Sequence, residues 1–182
     1  AAIAGELEAV RQSTAEMRAQ AQSAALAADR TAKIALLQAA LDTGAPYVSA
    51  TGLADMPSIL ADHAKTGLPS LNGLKDSFAD AARLALEAAL RADMGGTWTE
   101  RVTNFLRSQT GARALTPREG DDPDAILSRV EAALNTADLT RALAELQSLP
   151  SEAQIAMQDW TANAALRQAA IDAVSALAAK KE

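Results

Sequence analysis

A short stretch near the middle of the chain, Thr97 to Gln109, combines aromatic, aliphatic and basic residues at helical spacing. Its large apolar residues share an arc about 100° wide on a helical wheel: Trp98, Val102, Phe105 and Leu106. Arg101 borders this arc, and Arg107 lies across from it. Rings can enter the headgroup boundary of a bilayer while guanidinium groups bind anionic lipid phosphates. The pattern therefore predicts a helix that lies in a membrane interface.

The local charge agrees with that chemistry, but the apolar stripe has a second interpretation. Between Gly95 and Arg118 the sequence places four Arg against one acid, although the whole chain carries a formal net charge of -6. The same stripe could instead pack into a helical core, and composition alone favours that alternative. A decision between them needs evidence from the rest of the chain.

Composition predicts an all-α protein. About a quarter of the 182 residues are Ala, and aromatic residues make up 3%. An Ala-rich chain with helix formers throughout favours helices with close contacts and a modest core. A few residues near Tyr47 are the one place where we expect a strand. The predicted architecture is a long amino-terminal coiled-coil helix followed by a small helical bundle.

The first forty residues predict an arm that pairs with another copy. Apolar and small residues step by three and four from the start of the chain, as in a coiled-coil seam: Ile3, Leu7, Val10, Thr14, Met17, Ala21, Ala24 and Ala28. Gly44 and Pro46 end this helix. Small Ala side chains would give close but weak packing. The alternative is a long helix that folds back onto the rest of the chain.

Helix signals after the arm divide the remaining chain. Two helices are predicted, near residues 55–65 and 70–92, before Gly95 and Gly96, which form a hinge candidate. Asp122-Pro123-Asp124 caps another helix, Asp138 caps the next, and Pro150 opens a third that continues through Met157 and Trp160. The predicted buried face of the helix that starts at Pro123 is Ile126, Leu127, Val130, Ala133 and Leu134. The predicted division is 1–43 (coiled-coil arm), 44–94 (helical segment), 95–118 (membrane-binding helix and linker) and 119–182 (terminal helical domain).

Catalytic and metal chemistry find little support. The chain has no Cys and one His, and His63 is expected on the polar face of a short helix. The spacing of Asp121, Asp122 and Asp124 fits helix capping better than cation binding. We therefore assign no catalytic residue, no metal site and no cofactor. The acidic balance argues against nucleic acid as a partner.

Several segments together resemble the alphaproteobacterial members of the mitofilin family. The similar features are the coiled-coil arm, TGLPSL at Thr66 to Leu71, the Trp-bearing amphipathic helix, LTPREGDDPDAILSRVEAAL and ALAELQSLPSEAQIAMQDW. The resemblance covers most of the chain and is strongest from Leu115 to Trp160, which corresponds to the terminal mitofilin domain.

This resemblance implies a membrane-shaping scaffold and not an enzyme. Mitofilins are anchored in the inner membrane by an amino-terminal helix, self-associate through a coiled coil and shape membranes with an amphipathic segment. The bacterial members face the periplasm and are linked to outer-membrane protein partners. The membrane-shaping segment falls on Trp98, Arg101, Val102, Phe105, Leu106 and Arg107, with anionic lipids as the expected ligand. This chain begins without Met and shows no anchor, so we expect a fragment whose anchor lies upstream.

A soluble helical adaptor is the second functional hypothesis. AALNTADLTRALAELQSLP resembles half a tetratricopeptide unit, although no repeat follows it. The plan of anchor, arm and helical domain is also similar to a heme-pathway accessory family. In either alternative, the carboxy-terminal bundle would bind a protein segment and the protein would not bind lipid.

Overall fold

The computed structural model of the protein describes residues 2–93 and 120–180. These ranges form seven α-helices and contain no strand. The helices are α1 (Ala2–Thr43), α2 (Ser58–Asp62), α3 (Leu71–Asp93), α4 (Pro123–Asn135), α5 (Leu139–Leu146), α6 (Ser151–Ala156) and α7 (Gln158–Ala179), and a 3-10 turn spans Val48–Ala50. The all-α prediction, with a long first helix followed by a smaller helical region, is confirmed.

The chain divides into two compact units. The arm unit comprises Ala1–Gly67 and Asp172–Glu182, and the bundle unit comprises Leu68–Ile171. Helix α7 contributes its first turns to the bundle unit and its last turns to the arm unit. The four-part division predicted from the sequence stays a prediction.

Among its described residues, the arm unit buries apolar side chains in the last turns of α1, in residues 47–64 and in the last turns of α7. Gly44 ends the helix in a left-handed conformation, with φ of 77° and its amide donating to the Ala40 carbonyl over 2.7 Å. Such a φ suits glycine, which has no Cβ to clash. The buried apolar residues of this unit are Leu37, Ala40, Leu41, Tyr47, Ala50, Leu53, Leu60, Ala64, Val174 and Leu177.

The bundle unit packs around one apolar cluster contributed by α3, α4, α5, α6 and the first half of α7. The ring centroids of Phe78 and Trp160 lie 5.3 Å apart in an edge-to-face arrangement. The Trp160 indole Nε1 donates to the Leu74 carbonyl over 3.0 Å, so the buried ring leaves no polar atom unsatisfied. These contacts join α3 to α7.

Two helix starts in the bundle unit match the capping prediction. The Asp122 carboxylate accepts from the Ala125 amide over 3.0 Å, with Pro123 at the first helical position. The Asp138 carboxylate accepts from the Arg141 amide over 2.9 Å. Both caps satisfy amides that a helix start leaves without an intrahelical acceptor. The predicted inward face of α4 is also buried: Ile126, Leu127, Val130, Ala133 and Leu134.

Two local expectations were wrong. Tyr47 does not lie in a strand: it precedes the 3-10 turn, and its hydroxyl donates to the Leu60 carbonyl over 2.8 Å. The helix that Pro150 opens does not run unbroken through Trp160. It turns at Met157, whose backbone (φ -99°, ψ 5°) ends α6 and whose side chain is 1% exposed. The turn places the Met157 side chain in the apolar core. Helical periodicity alone does not predict this turn.

Candidate self-association surface

The six residues predicted to bind membrane lie outside the described residues: Trp98, Arg101, Val102, Phe105, Leu106 and Arg107. So does the hinge candidate at Gly95 and Gly96. The structure describes the elements on either side, α3 and α4, and both belong to the bundle unit. The predicted membrane site therefore stays a prediction, and the described part of the chain offers a different surface.

That surface is an apolar stripe along the first two thirds of α1. Its large members are strongly exposed: Ile3 is 81%, Leu7 51%, Val10 63% and Met17 59% exposed. Together with Thr14, Ala21, Ala24 and Ala28 they continue the alternating spacing of four and three that brings residues onto one face. We call these eight residues the α1 stripe.

No part of the described chain covers this region of α1. Every side chain from residue 3 to residue 29 is exposed except Thr14, which is half-buried. The Thr14 hydroxyl donates to the Val10 carbonyl of its own helix over 2.7 Å. Most helical stability in proteins comes from packing an apolar face against a partner. A helix of 42 residues, about 63 Å long at 1.5 Å per residue, therefore favours a partner along the stripe.

Charged side chains lie beside the stripe and pair within the helix. Arg11 Nη1 lies 3.7 Å from Glu8 Oε2, and Lys33 Nζ lies 2.7 Å from Asp29 Oδ2. Exposed pairs at such spacing stabilise a helix by a few tenths of a kcal/mol at most. They leave the stripe itself uncharged, so an apolar partner could approach it without desolvating an ion.

The last turns of α1, from Arg30 to Thr43, contact the rest of the arm unit. We call this part the base of α1. Arg30 is half-buried, and its Nη2 donates to the Leu177 carbonyl of α7 over 2.9 Å. Lys180 Nζ lies 3.1 Å from Asp55 Oδ2. Gly67 has a φ of 81°, and a Cβ placed there would lie 2.1 Å from the Gly44 carbonyl oxygen. The fixed base orients one end of a long helix whose other end remains exposed.

Catalytic candidates gain nothing from the geometry of the described residues. His63 ends α2, and its Nδ1 lies 2.9 Å from the Ile59 carbonyl of the same helix. Asp122 acts as the cap of α4. Within residues 2–93 and 120–180, no group of three or more His, Cys, Asp or Glu side chains could hold a metal ion. In the same part of the chain, no helix is long and apolar enough to cross a bilayer.

Several polar contacts in the bundle unit were not predicted. Arg129 Nε donates to Glu145 Oε2 over 2.7 Å, and its Nη1 donates to the Gly120 carbonyl over 2.7 Å. The Arg167 side chain is buried, and its Nη1 donates to the Pro69 carbonyl over 3.1 Å. These partners are 9 to 98 residues apart in sequence. Spacing patterns carry no signal for contacts of that kind.

Comparison with known proteins gives a similarity over about half of the chain. The chain is 28% identical over 97 residues to "MICOS complex subunit MIC60" of Arthroderma otae, which covers 53% of this chain and 14% of that protein. No family model matches the sequence. No solved structure matches it either. The similarity supports a relationship to the MIC60 (mitofilin) proteins, at a level that does not distinguish an alphaproteobacterial branch.

Proposed function

We propose that this chain is part of a membrane-organising scaffold of the mitofilin type, from an alphaproteobacterial member of that family. The observation that carries the proposal is the similarity to a MIC60 protein named as a subunit of a complex. The exposed α1 stripe supports it, because a scaffold needs a surface through which copies associate. The soluble-adaptor alternative gains no support from the comparisons.

In this proposal the helix from Thr97 to Gln109 binds the inner membrane. Trp98 and Phe105 insert into one leaflet with Val102 and Leu106, while Arg101 and Arg107 meet anionic headgroups. A shallow wedge of this kind spreads the headgroups of one leaflet and favours curvature. No catalytic step and no cofactor enters the proposal.

Association through the α1 stripe makes weak membrane binding strong. One short interfacial helix binds reversibly, but linked copies bind the same surface together and gain avidity without a new contact. The scaffold would face the periplasm, with outer-membrane proteins as further partners. Membrane invaginations and contact sites are the structures that such an assembly would organise.

Vesicle flotation with anionic lipid tests the membrane-binding step. The double variant Trp98→Ser, Phe105→Ser should lose most of its binding, at least about tenfold, because two large apolar side chains no longer enter the leaflet. The wild-type protein should bind less at high salt, since screening weakens the contacts of Arg101 and Arg107 with phosphates.

A matched control removes exposed apolar surface elsewhere. Val48 and Leu84 are 52% and 54% exposed, and Val48→Ser, Leu84→Ser should float like the wild type. The wild type and the Trp98, Phe105 variant could instead float equally, with unchanged helicity by circular dichroism. That result would show that this helix does not bind the membrane.

A further inference from the structure

The bundle unit carries an apolar groove of about 330 Å³. Its lining residues come from the end of α5, the turn that follows, α6 and the first turns of α7: Leu146, Gln147, Leu149, Gln154, Met157, Gln158, Thr161, Ala162 and Ala165. Leu146, Leu149 and Met157 are 3%, 4% and 1% exposed, so they form the floor of the groove. The exposed lining residues lie at its opening: Gln147, Gln154, Gln158, Ala162 and Ala165. A side chain that enters the groove therefore meets apolar atoms below and uncharged groups at the opening.

Hydrogen bonds within the chain hold the groove in shape. The Gln154 side-chain amide donates to the Gln147 carbonyl over 3.0 Å and to the Leu149 carbonyl over 2.7 Å. These bonds fix α6 to the turn after α5, and both elements line the groove. A ligand that enters a site whose walls are already fixed orders fewer groups on binding, so more of the contact energy appears as affinity.

The part of the chain that forms the groove is acidic. All nine lining residues fall within residues 142–166, a stretch that contains Glu145, Glu152 and Asp159 but neither Lys nor Arg. Glu145 accepts from Arg129 over 2.7 Å, whereas Glu152 and Asp159 are exposed and form no ion pair with another described residue.

These two carboxylates stand close to the groove. Asp159 directly follows the lining residue Gln158, so their Cα atoms are about 3.8 Å apart, and Glu152 lies two residues before the lining residue Gln154 on α6. The Asp159 charge is thus within a Debye length, about 8 Å at physiological ionic strength, of the lining. The resulting potential attracts a cationic ligand and opposes an anionic one.

We propose that this groove binds a segment of a different protein in which an aliphatic side chain is flanked by Lys or Arg. The aliphatic side chain contacts the floor of the groove, and the basic side chains meet Glu152 and Asp159. The exposed amides of Gln147 and Gln158 can donate hydrogen bonds to the segment and accept them from it. Apolar anchors set in a groove, with charges at its edge, are a common mode of peptide recognition.

The net charge of the chain disfavours two other occupants. A second copy carries a net charge of -6 and the same acids beside its groove, and an anionic bilayer is repelled by the same carboxylates. The inference rests on the proposed scaffold function, in which the chain has protein partners, and gives the site and the chemistry through which one of them binds.

Fluorescence anisotropy with the full chain and labelled synthetic peptides tests the partner's chemistry. The probe is a short amphipathic peptide of Leu, Ala and Lys with its Leu residues on one face. It should bind the wild type, and a peptide with Glu in place of every Lys should bind at least about tenfold more weakly. A peptide with Ser in place of every Leu should also bind at least about tenfold more weakly, because no aliphatic side chain enters the groove.

Two neighbouring Arg substitutions test the location of the site. Ala162 and Asn163 are both exposed on α7, but Ala162 lines the groove and Asn163 is not among its lining residues. Ala162→Arg should weaken binding of the Lys peptide at least about tenfold, because a long cationic side chain occupies the opening. Asn163→Arg adds the same charge and should weaken binding by a few-fold at most. Circular dichroism checks that both variants keep the helicity of the wild type.

A pair of charge-removing variants tests the role of the carboxylates. Glu152→Gln, Asp159→Asn should weaken binding of the Lys peptide several-fold and reduce its dependence on salt. The control Asp76→Asn, Glu131→Gln removes the same number of charges at exposed positions outside residues 142–166. It should have a clearly smaller effect.

Three results with these proteins would overturn the proposed site: no binding of the Lys peptide to the wild type, equal binding of the Lys and Glu peptides, or equal losses in Ala162→Arg and Asn163→Arg. Two further results would assign the groove to another occupant and overturn the proposal as well. Tighter peptide binding by Trp98→Ser, Phe105→Ser would assign it to the chain's own basic segment, and weaker self-association of Ala162→Arg in sedimentation equilibrium would assign it to a second copy.

The scaffold proposal fails or holds separately. The peptide measurements contain no lipid, and vesicle flotation of the wild type does not depend on the groove. Peptide binding without flotation would contradict only the membrane-binding proposal, and flotation without peptide binding would contradict only the groove.

Discussion

The first two thirds of α1 and the bundle unit use the same helical periodicity with opposite results. In the bundle unit, apolar residues at this spacing face one another, and Leu74, Ile126 and Val130 are 2%, 1% and 0% exposed. In α1 the spacing is as regular, yet Ile3 and Val10 are 81% and 63% exposed. Periodicity thus defines an apolar face but not what covers it.

Connection length explains much of this difference. Three residues join α4 to α5, four join α5 to α6 and one joins α6 to α7, so successive helices of the bundle unit cover each other. Helix α1 continues for 42 residues before a turn, and only its last part buries side chains. The comparison predicts that substitutions in the bundle unit change folding, whereas substitutions in the α1 stripe change association.

The largest effect is expected at Trp160. Trp160→Ala should lower the free energy of unfolding by about 3–5 kcal/mol, because it removes a buried ring, its contact with Phe78 and its bond to the Leu74 carbonyl. Urea denaturation followed by circular dichroism measures the change. Trp160→Phe keeps an aromatic ring and should cost less. A loss below about 1 kcal/mol in the Ala variant would mean that Trp160 does not join α3 to α7.

The substitution Gly→Ala should change the free energy of unfolding in opposite directions at the packed base of the arm and in its exposed part. Gly67→Ala should destabilise the protein by roughly 3 kcal/mol, because the new Cβ would lie 2.1 Å from the Gly44 carbonyl oxygen at a φ of 81°. Gly5→Ala meets nothing within 4 Å in α1. It should therefore stabilise the helix by up to about 1 kcal/mol. Thermal unfolding of both variants checks the signs, and a neutral Gly67→Ala would contradict the described base.

A smaller effect is expected at Tyr47, the one tyrosine of the chain. Burial raises the pKa of its hydroxyl above the ordinary value of 10.0. As pH rises above about 10 the unfolded chain releases this proton first, the folded state holds more protons, and stability falls. The contribution is complete below pH 10 and is lost as pH rises toward the raised pKa.

Tyr47→Phe tests that dependence. At neutral pH it should cost about 1 kcal/mol, through the lost hydrogen bond to the Leu60 carbonyl. The stability difference from the wild type should shrink above pH 10, because the Phe variant has no proton to lose there. Urea denaturation at several alkaline pH values measures this, and a difference that stays constant with pH would argue against a buried hydroxyl.

The sequence predicted those features that local chemistry determines. Asp122 and Pro123 mark the start of α4, and the apolar spacing identified its buried face, because capping and periodicity act over a few residues. The turn at Met157 was missed, since it depends on the core that the side chain enters. The contact between Arg129 and Glu145 was missed for the same reason: helix packing brings together residues 16 positions apart.

Sedimentation equilibrium of three proteins tests most directly whether the α1 stripe is covered by a second copy. Val10→Lys places a charge in the stripe, and Leu26→Lys places one at a position 65% exposed outside it. We expect the wild type and Leu26→Lys to associate alike, and Val10→Lys to dissociate at least about tenfold more readily with unchanged unfolding of the bundle unit. Equal association of all three proteins would contradict the account.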